Sequence, residues 1–168
     1  MSIIAYETSN DLPEGVREQV TEILNERLAA AIDLAAQAKQ AHWNVKGPQF
    51  IALHRLFDEI YAAAAEYADL LAERAVQLGG IADGTLQSVA QRSDLTAYPR
   101  GIADGLDHVG ALGRALAEFG AGMRRSIDET DNLGDRCSAD ICTAIARGTD
   151  KWLSFVEAHV QVSPMTAQ

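Results

Sequence analysis

The sequence predicts an all-α fold, a bundle of four long helices. Three observations support this class. Apolar residues recur about every 3.6 positions along four long segments. Alanine and leucine dominate the apolar residues, which favours helix, and only four prolines occur in 168 residues. A chain of this length can bury one core, so we expect a single domain over residues 1–168, with short flexible tails at about 1–11 and 161–168.

The first helix is predicted to begin near Pro13. Asn10 or Asp11 can cap its N-terminus, and proline is favoured in the first turn of a helix. Its apolar positions keep the helical period as far as Val45, where the Gly47-Pro48 pair breaks the pattern. The first helix is therefore expected to end just before that pair.

The second helix is predicted to run from near Gln49 to Gly79 and Gly80, which make a good C-terminal cap. About thirty residues give it a length of roughly 45 Å. The next segment, IADGTLQSVAQRSDLTAYPRG, is long for a connection between antiparallel helices, and LQSVAQR within it is predicted to form a short helix. A link of this length suits a ferritin-like bundle, in which one connection runs from one end of the bundle to the other.

The third long helix is predicted from about Pro99 to Ile127, and the fourth from about Ser138 to Val160. Six glycines between Gly101 and Gly122 give the third helix poor intrinsic helicity. Packing must therefore hold it, or neighbouring helices must approach it closely.

The charge balance limits the partners of this chain. Its formal net charge is −10, from 24 acidic and 14 basic residues, so its surface repels phosphate backbones on average and tolerates cations. No apolar run is long enough for a membrane span, and the N-terminus lacks a basic start and a cleavage site. We therefore expect a cytoplasmic protein, in which Cys137 and Cys142 are ordinary reduced thiols.

Two pairs of metal-ligand side chains lie on the predicted second helix. His54 and Asp58 are four residues apart and share a face, as do Asp69 and Glu73. Imidazole and carboxylate together suit iron, manganese or zinc. The two pairs are separated by roughly 22 Å of helical rise, so no single ion can bind both, although they lie only about 60° apart around the helix.

An antiparallel copy of the same helix from a second subunit would bring the two pairs together. Two-fold symmetry would then give two identical sites per dimer, and His42 could add a nitrogen ligand. The usual intrachain di-iron centre needs Glu-x-x-His motifs, and no glutamate here has a histidine three residues later. Simpler explanations remain for single residues. His42 can be a helix cap or a solvated side chain, and Asp69 and Glu73 can be solvated acids, with Glu73 also able to pair with Arg74 or a neighbour.

The stretches KQAHWNVKGPQFIALHRLFDEI and DLLAERAVQLGG resemble the Dps family, the dodecameric mini-ferritins named as DNA-binding proteins from starved cells. The resemblance covers about Asp11 to Val160. It implies a four-helix bundle with a short extra helix, twelve copies in a hollow shell with 23 symmetry, and a ferroxidase centre at each two-fold interface. One subunit would contribute the three ligands on the histidine side, and its partner the two carboxylates. These ligands are His42, His54 and Asp58, with Asp69 and Glu73 from the partner.

The resemblance also implies a reaction. The family oxidises Fe(II), preferably with hydrogen peroxide, and stores the ferric product as mineral, which protects DNA from oxidative damage. Acidic side chains line the iron-entry pores of the family, and the matching candidates here are Asp131, Asp135 and Asp140, although acids at a helix N-terminus are also good caps. Trp43 is either a redox neighbour that takes up a stray oxidising equivalent or a packing aromatic at the dimer interface.

The tails depart from the DNA-binding activity in the family name. Residues 1–16 and the final stretch HVQVSPMTAQ contain no lysine or arginine, so neither tail can release counterions from DNA. We predict weak or absent DNA binding. The resemblance places the protein in the bacterial cytoplasm. The alternative function is a nucleoid-compacting, DNA-binding structural protein, with iron incidental.

Overall fold

The computed structural model describes residues 4–161, which form five helices. The helices are α1 (Glu14–Asn44), α2 (Phe50–Gln77), α3 (Leu86–Arg92), α4 (Gly105–Asn132) and α5 (Arg136–Glu157). The four long helices form a bundle in which α1 packs chiefly on α2, and α4 on α5. The short α3 lies in the connection between α2 and α4 and packs on α1. The prediction of an all-α bundle with a short extra helix is therefore confirmed.

The core lies along the inner faces of the four long helices. On α2 the buried apolar residues follow the helical period. These are Leu53, Phe57, Ile60, Ala64, Leu71 and Ala75. Phe119 and Met123 of α4 are also fully buried, and each such side chain contributes roughly 1.5–3 kcal/mol through the hydrophobic effect. This core makes α1 and α2 a rigid hairpin, and the predicted metal ligands lie on that hairpin.

The glycines of α4 and α5 allow close approach. A Cβ atom at Gly122 would overlap the buried guanidinium of Arg27 on α1, and one at Gly148 would overlap the hydroxyl of Tyr67 on α2. At Gly110, by contrast, an added Cβ would meet open space. The glycines that lower the intrinsic helicity of α4 thus include positions, such as Gly122, where a neighbouring side chain packs against the backbone.

Helix α4, the third long helix of the prediction, begins at Gly105, so its predicted start near Pro99 is wrong. Asp104 caps the helix by accepting a 2.9 Å hydrogen bond from the Leu106 N–H. The Lys46 N–H donates to the Ala103 carbonyl at 2.8 Å, which ties the preceding segment to the α1–α2 turn. The same helix continues to Asn132, beyond the predicted end at Ile127.

The other boundaries differ less. Helix α5, the fourth long helix of the prediction, spans Arg136–Glu157 rather than Ser138 to Val160. It begins two residues before the predicted start because Asp135 caps it. The first helix begins directly after Pro13, but neither Asn10 nor Asp11 caps it, so that detail is wrong. Instead, Asn10 accepts a hydrogen bond from the Leu12 N–H just before the helix. Gly79 adopts a left-handed conformation (φ +83°) after α2, in agreement with the predicted cap.

The segment before α1 is attached to the end of α2. The N–H groups of Ala5 and Tyr6 both donate to the Gly79 carbonyl, at 3.0 and 3.1 Å. Arg17 donates to the carbonyls of Leu78 and Leu12 and closes the same junction. From Ile4 onward the predicted N-terminal tail therefore has a defined attachment. Residues 1–3 and 162–168, which include most of the predicted C-terminal tail, lie outside the described residues.

Within residues 4–161 no helix has the length and apolar character needed to cross a membrane. Cys137 is exposed, Cys142 is buried, and both are free thiols.

Candidate metal centre

His42 and His54 face each other where α1 ends and α2 begins. Gly47, with φ at +107°, makes the turn that folds α2 back along α1. The two imidazole rings stack with centroids 3.7 Å apart and planes inclined by 23°. Each Nδ1 hydrogen bonds to the backbone carbonyl of the other histidine, at 2.7 Å for His42 and 2.8 Å for His54.

These reciprocal hydrogen bonds determine the tautomer of both rings. A carbonyl oxygen can only accept, so each Nδ1 carries the proton and each Nε2 presents a free lone pair. Backbone carbonyls are common partners for the non-ligating nitrogen of a metal-bound histidine. The carbonyl of His42 is available because the N–H of Lys46, its expected helical partner, donates to Ala103 instead. The turn therefore presents two oriented nitrogen donors.

Asp58 and Lys39 complete this side of the site. The Asp58 carboxylate lies one helical turn after His54 and accepts a hydrogen bond from the ammonium of Lys39, which lies one turn before His42. That hydrogen bond is the main cause of a lowered pKa of Asp58; desolvation opposes it, and the positive charge of Lys39 lowers the pKa further. Phe50 packs on His54 with ring centroids 5.0 Å apart.

Asp69 and Glu73 lie on an exposed face further along the same helix. Neither makes an ion pair or a side-chain hydrogen bond with another described residue. Arg74, the possible partner of Glu73, instead points into the bundle and binds Asp135. That alternative for Glu73 is therefore wrong, and both carboxylates are available to a ligand from outside the subunit.

One subunit does not assemble a complete metal site. Because α2 is continuous over Phe50–Gln77, the two ligand pairs remain separated by roughly 22 Å of helical rise. In the part of the chain that the structure describes, no three His, Cys, Asp or Glu side chains lie close enough to hold a metal ion. The geometry thus consists of two partial ligand sets at two heights of one helix.

The predicted pore residues fall into two groups. Asp131 and Asp140 are exposed near the α4–α5 turn. Asp135 is only 2% exposed, and the Arg74 guanidinium donates to both of its oxygens, at 2.9 and 3.0 Å. Burial alone would raise the pKa of Asp135, but hydrogen bonds from Ser138 and Arg74 together lower it. Asp135 is thus a buried structural carboxylate that caps α5, and its prediction as a pore residue is corrected.

An apolar groove adjoins the histidine pair. Trp43 is 65% exposed and borders this groove together with Tyr61 and Lys39. Small and aliphatic side chains complete the lining: Ile32, Ala35, Ala36, Ala65 and Ala68. Within one subunit Trp43 is largely unpacked, so its two predicted roles both remain predictions. An exposed apolar surface of this kind is typical of a protein interface.

Lys39 is the residue of this site that the sequence analysis missed. Its three-residue spacing from His42 places both side chains on one face of α1, and this spacing was the available signal. His108 lies outside this site: it is buried on α4 and bonds through Nδ1 to the Tyr98 hydroxyl at 2.7 Å.

Comparison with known proteins agrees with this architecture. The ferritin-like domain family matches residues 21–165. The DNA protection during starvation protein of Agrobacterium fabrum (strain C58) is 49% identical over 156 residues, which cover 93% of this chain and 96% of that protein. DpsA14 from Streptomyces coelicolor superposes with a TM-score of 0.91 at 30% identity, over 97% of this chain and 96% of that one. Dps from Microbacterium arborescens in the high iron form superposes with a TM-score of 0.83 at 34% identity, over 91% of this chain and 97% of that one.

The match therefore extends over nearly the whole chain in both sequence and structure. It includes the short helix between α2 and α4, which a plain antiparallel four-helix bundle does not require. The chain belongs to the Dps family of ferritin-like proteins.

Proposed function

We propose that this protein is a ferroxidase that oxidises Fe(II) at centres shared between two subunits and stores the ferric product in a dodecameric shell. The single observation that carries the proposal is the preset nitrogen pair. His42 and His54 orient each other through reciprocal hydrogen bonds and leave both Nε2 atoms free, with Asp58 one helical turn after His54. A purely structural role would not require that both imidazoles of a stacked pair keep a free lone pair.

The partner subunit would supply the remaining ligands. In a two-fold dimer with antiparallel α2 helices, His42, His54 and Asp58 of one subunit face Asp69 and Glu73 of the other. The exposed state of these two carboxylates supports this arrangement. The apolar groove bordered by Trp43 supports it as well, because dimer formation would cover this surface beside the centre.

The donor set suits the oxidation of iron. Carboxylate oxygens are hard ligands that stabilise Fe(III) relative to Fe(II), and imidazole nitrogens bind iron in both states. Two Fe(II) ions each give one electron, and hydrogen peroxide takes both electrons and two protons as its O–O bond breaks, which yields two waters. Iron and peroxide are thereby consumed together, without release of a hydroxyl radical. Hydrogen peroxide is the preferred oxidant in this proposal.

Electrostatics would bring Fe(II) to the shell. Twelve subunits at a formal charge of −10 each carry about −120, which raises the local concentration of cations. The exposed Asp131 and Asp140 are the proposed residues of the entry route. The same charge, together with tails that lack lysine and arginine, opposes DNA binding. Protection of DNA in the bacterial cytoplasm would then come from removal of iron and peroxide, rather than from compaction of the nucleoid.

A kinetic comparison tests this function. Anaerobic Fe(II) is added to the assembled protein, then hydrogen peroxide, and the ferric absorbance is followed for wild type and for His54→Ala. We expect the substitution to slow oxidation by at least about ten-fold, because it removes one of the two nitrogen donors. His159→Ala, in the segment after α5, is the matched control and should oxidise iron at the wild-type rate. Equal rates for all three proteins would contradict the proposal.

A further inference from the structure

We propose that His108 is a positioning residue for the proposed metal centre: its neutral imidazole supports the α1–α2 turn from inside the bundle, and acid releases the turn by protonating this ring. The effect on iron rests on the proposed function, because the turn carries His42 and His54. The release of the turn is a change within one subunit, so it can be measured without iron.

His108 is enclosed near the start of α4, on the inner side of the α1–α2 turn. It is only 1% exposed, and its Nδ1 lies 2.7 Å from the Tyr98 hydroxyl. The centroid of the Phe57 ring on α2 lies 6.4 Å from that of the imidazole. The backbone of Asn44, the last residue of α1, also faces the ring. The imidazole therefore lies against both helices that the turn joins.

The start of α4 is also tied to the turn through the backbone. The Lys46 N–H donates to the Ala103 carbonyl at 2.8 Å. The next residue, Asp104, caps α4 by accepting a 2.9 Å hydrogen bond from the Leu106 N–H. The N–H of His108 in turn donates to the Asp104 carbonyl at 3.2 Å. A movement of this helix start is therefore passed to the α1–α2 turn.

The surroundings of the ring suit its neutral form. His108 Nε2 is buried and makes no hydrogen bond within the described part of the chain. The charged groups that face the ring, Asp104 and Asp107, are exposed and belong to the start of α4 itself. From the other elements the ring meets backbone, the apolar Phe57 and the phenol of Tyr98, whose pKa is raised by burial. No buried carboxylate is thus at hand to balance a charge on the imidazole.

A second proton would place a positive charge where the fold disfavours it. Burial lowers the pKa of His108, and the charges of Asp107 and Asp104 oppose this effect. The positive end of the α4 dipole also disfavours a cation close to the first turn. To approach an imidazolium, the Asp104 carboxylate would give up its hydrogen bond to the Leu106 N–H. The start of α4 then shifts, and the neighbouring link through Ala103 loosens the α1–α2 turn.

Hydrogen exchange of the backbone amides of residues 44–54 in the assembled, iron-free protein tests the release of the turn. Because the fold lowers the pKa of His108, the support is complete above the ordinary pKa of 6.5 and is lost as the pH falls below it. The protein is compared at about one pH unit above and about one below that value, after correction for the intrinsic effect of pH on exchange. His108→Asn can still hydrogen bond to Tyr98 but cannot take up charge. Acid acts on His42 and His54 equally in both proteins, so we expect wild type to lose at least about three-fold more protection than His108→Asn.

Two further variants complete this comparison. His108→Gln also cannot take up charge, so it should behave like His108→Asn, and it replaces that variant where His108→Asn does not assemble. His159→Asn, in the segment after α5, is the matched control, and its turn should respond to acid as that of wild type does. Equal acid sensitivity in wild type and the uncharged His108 variants would overturn the proposal, as would an equal loss of sensitivity in His159→Asn.

Anaerobic Fe(II) titrations at the same two pH values test the effect on the centre. On acidification, wild type should lose about ten-fold more affinity than His108→Asn, which corresponds to a coupling of about one pKa unit between iron binding and the proton on His108. Equal losses would overturn the positioning role. If wild type and His54→Ala bind Fe(II) equally, the proposed function itself is wrong, while hydrogen exchange still decides whether His108 controls the turn.

Discussion

A centre shared by two subunits predicts the outcome of mixing two inactive variants. His54→Ala removes a nitrogen donor from one half of the centre, and Glu73→Ala removes a carboxylate from the other half. In a dimer of either variant alone, both centres lack one ligand. In a mixed dimer one centre carries both substitutions and the other carries neither. Random pairing of equal amounts makes half of the dimers mixed, so about a quarter of all centres regain every ligand.

The assay follows ferric absorbance after peroxide is added to anaerobic Fe(II). The two variants are unfolded, mixed in equal amounts and refolded together, and wild type is treated identically to define full activity. A mixture of His54→Ala with Asp58→Ala is the matched control, because both substitutions affect the same half and no pairing restores a centre. We expect about a quarter of the wild-type rate in the first mixture and no recovery in the second. Equal rates in the two mixtures would refute a centre shared in this way.

The remaining predictions concern stability and DNA. Arg74→Met leaves the buried Asp135 without its cation, so the free energy of unfolding at neutral pH, measured with denaturant, should fall by roughly 3 kcal/mol. Because the fold lowers the pKa of Asp135, this stabilisation is present above the ordinary pKa and is lost as the pH falls below about 4, so wild type and variant should converge there. Gly110→Ala, in open space, should raise the melting temperature, whereas Gly122→Ala on the same helix should raise it less or lower it, since the new Cβ would displace the buried guanidinium of Arg27. Identical shifts for the two glycine variants would count against the packing argument. The assembled protein should not retard plasmid DNA in a gel at about 150 mM salt, and a clear shift there would contradict the argument from charge.

The existence of each helix could be predicted from the sequence, because apolar periodicity is a local property. The start of α4 could not. In the sequence, Asp104 is indistinguishable from any acidic loop residue. Its role as a cap depends on a distant contact, in which the Lys46 N–H of the α1–α2 turn donates to the carbonyl of the preceding residue, Ala103. Asp135 shows the same limit. The family resemblance suggested a pore residue, whereas the burial of Asp135 depends on Arg74, 61 residues earlier.

The candidate site was more predictable because its ligands lie close together in the sequence. Helical spacing alone places His54 with Asp58 and Asp69 with Glu73, and it shows that one ion cannot bind both pairs. Spacing did not reveal that the two histidines would bond to each other's backbone, since that depends on the angle of the turn at Gly47. It also did not show that Lys39 would already occupy Asp58.

Under the proposed function, the mutual hydrogen bonds of His42 and His54 would also make metal capture conditional on folding. Each imidazole is oriented by a carbonyl on the opposite helix, so neither is fixed until the hairpin has closed. A newly made or denatured chain therefore has no aligned nitrogen pair with which to gather iron. Under the proposed function, iron chemistry would therefore begin only after this hairpin has folded.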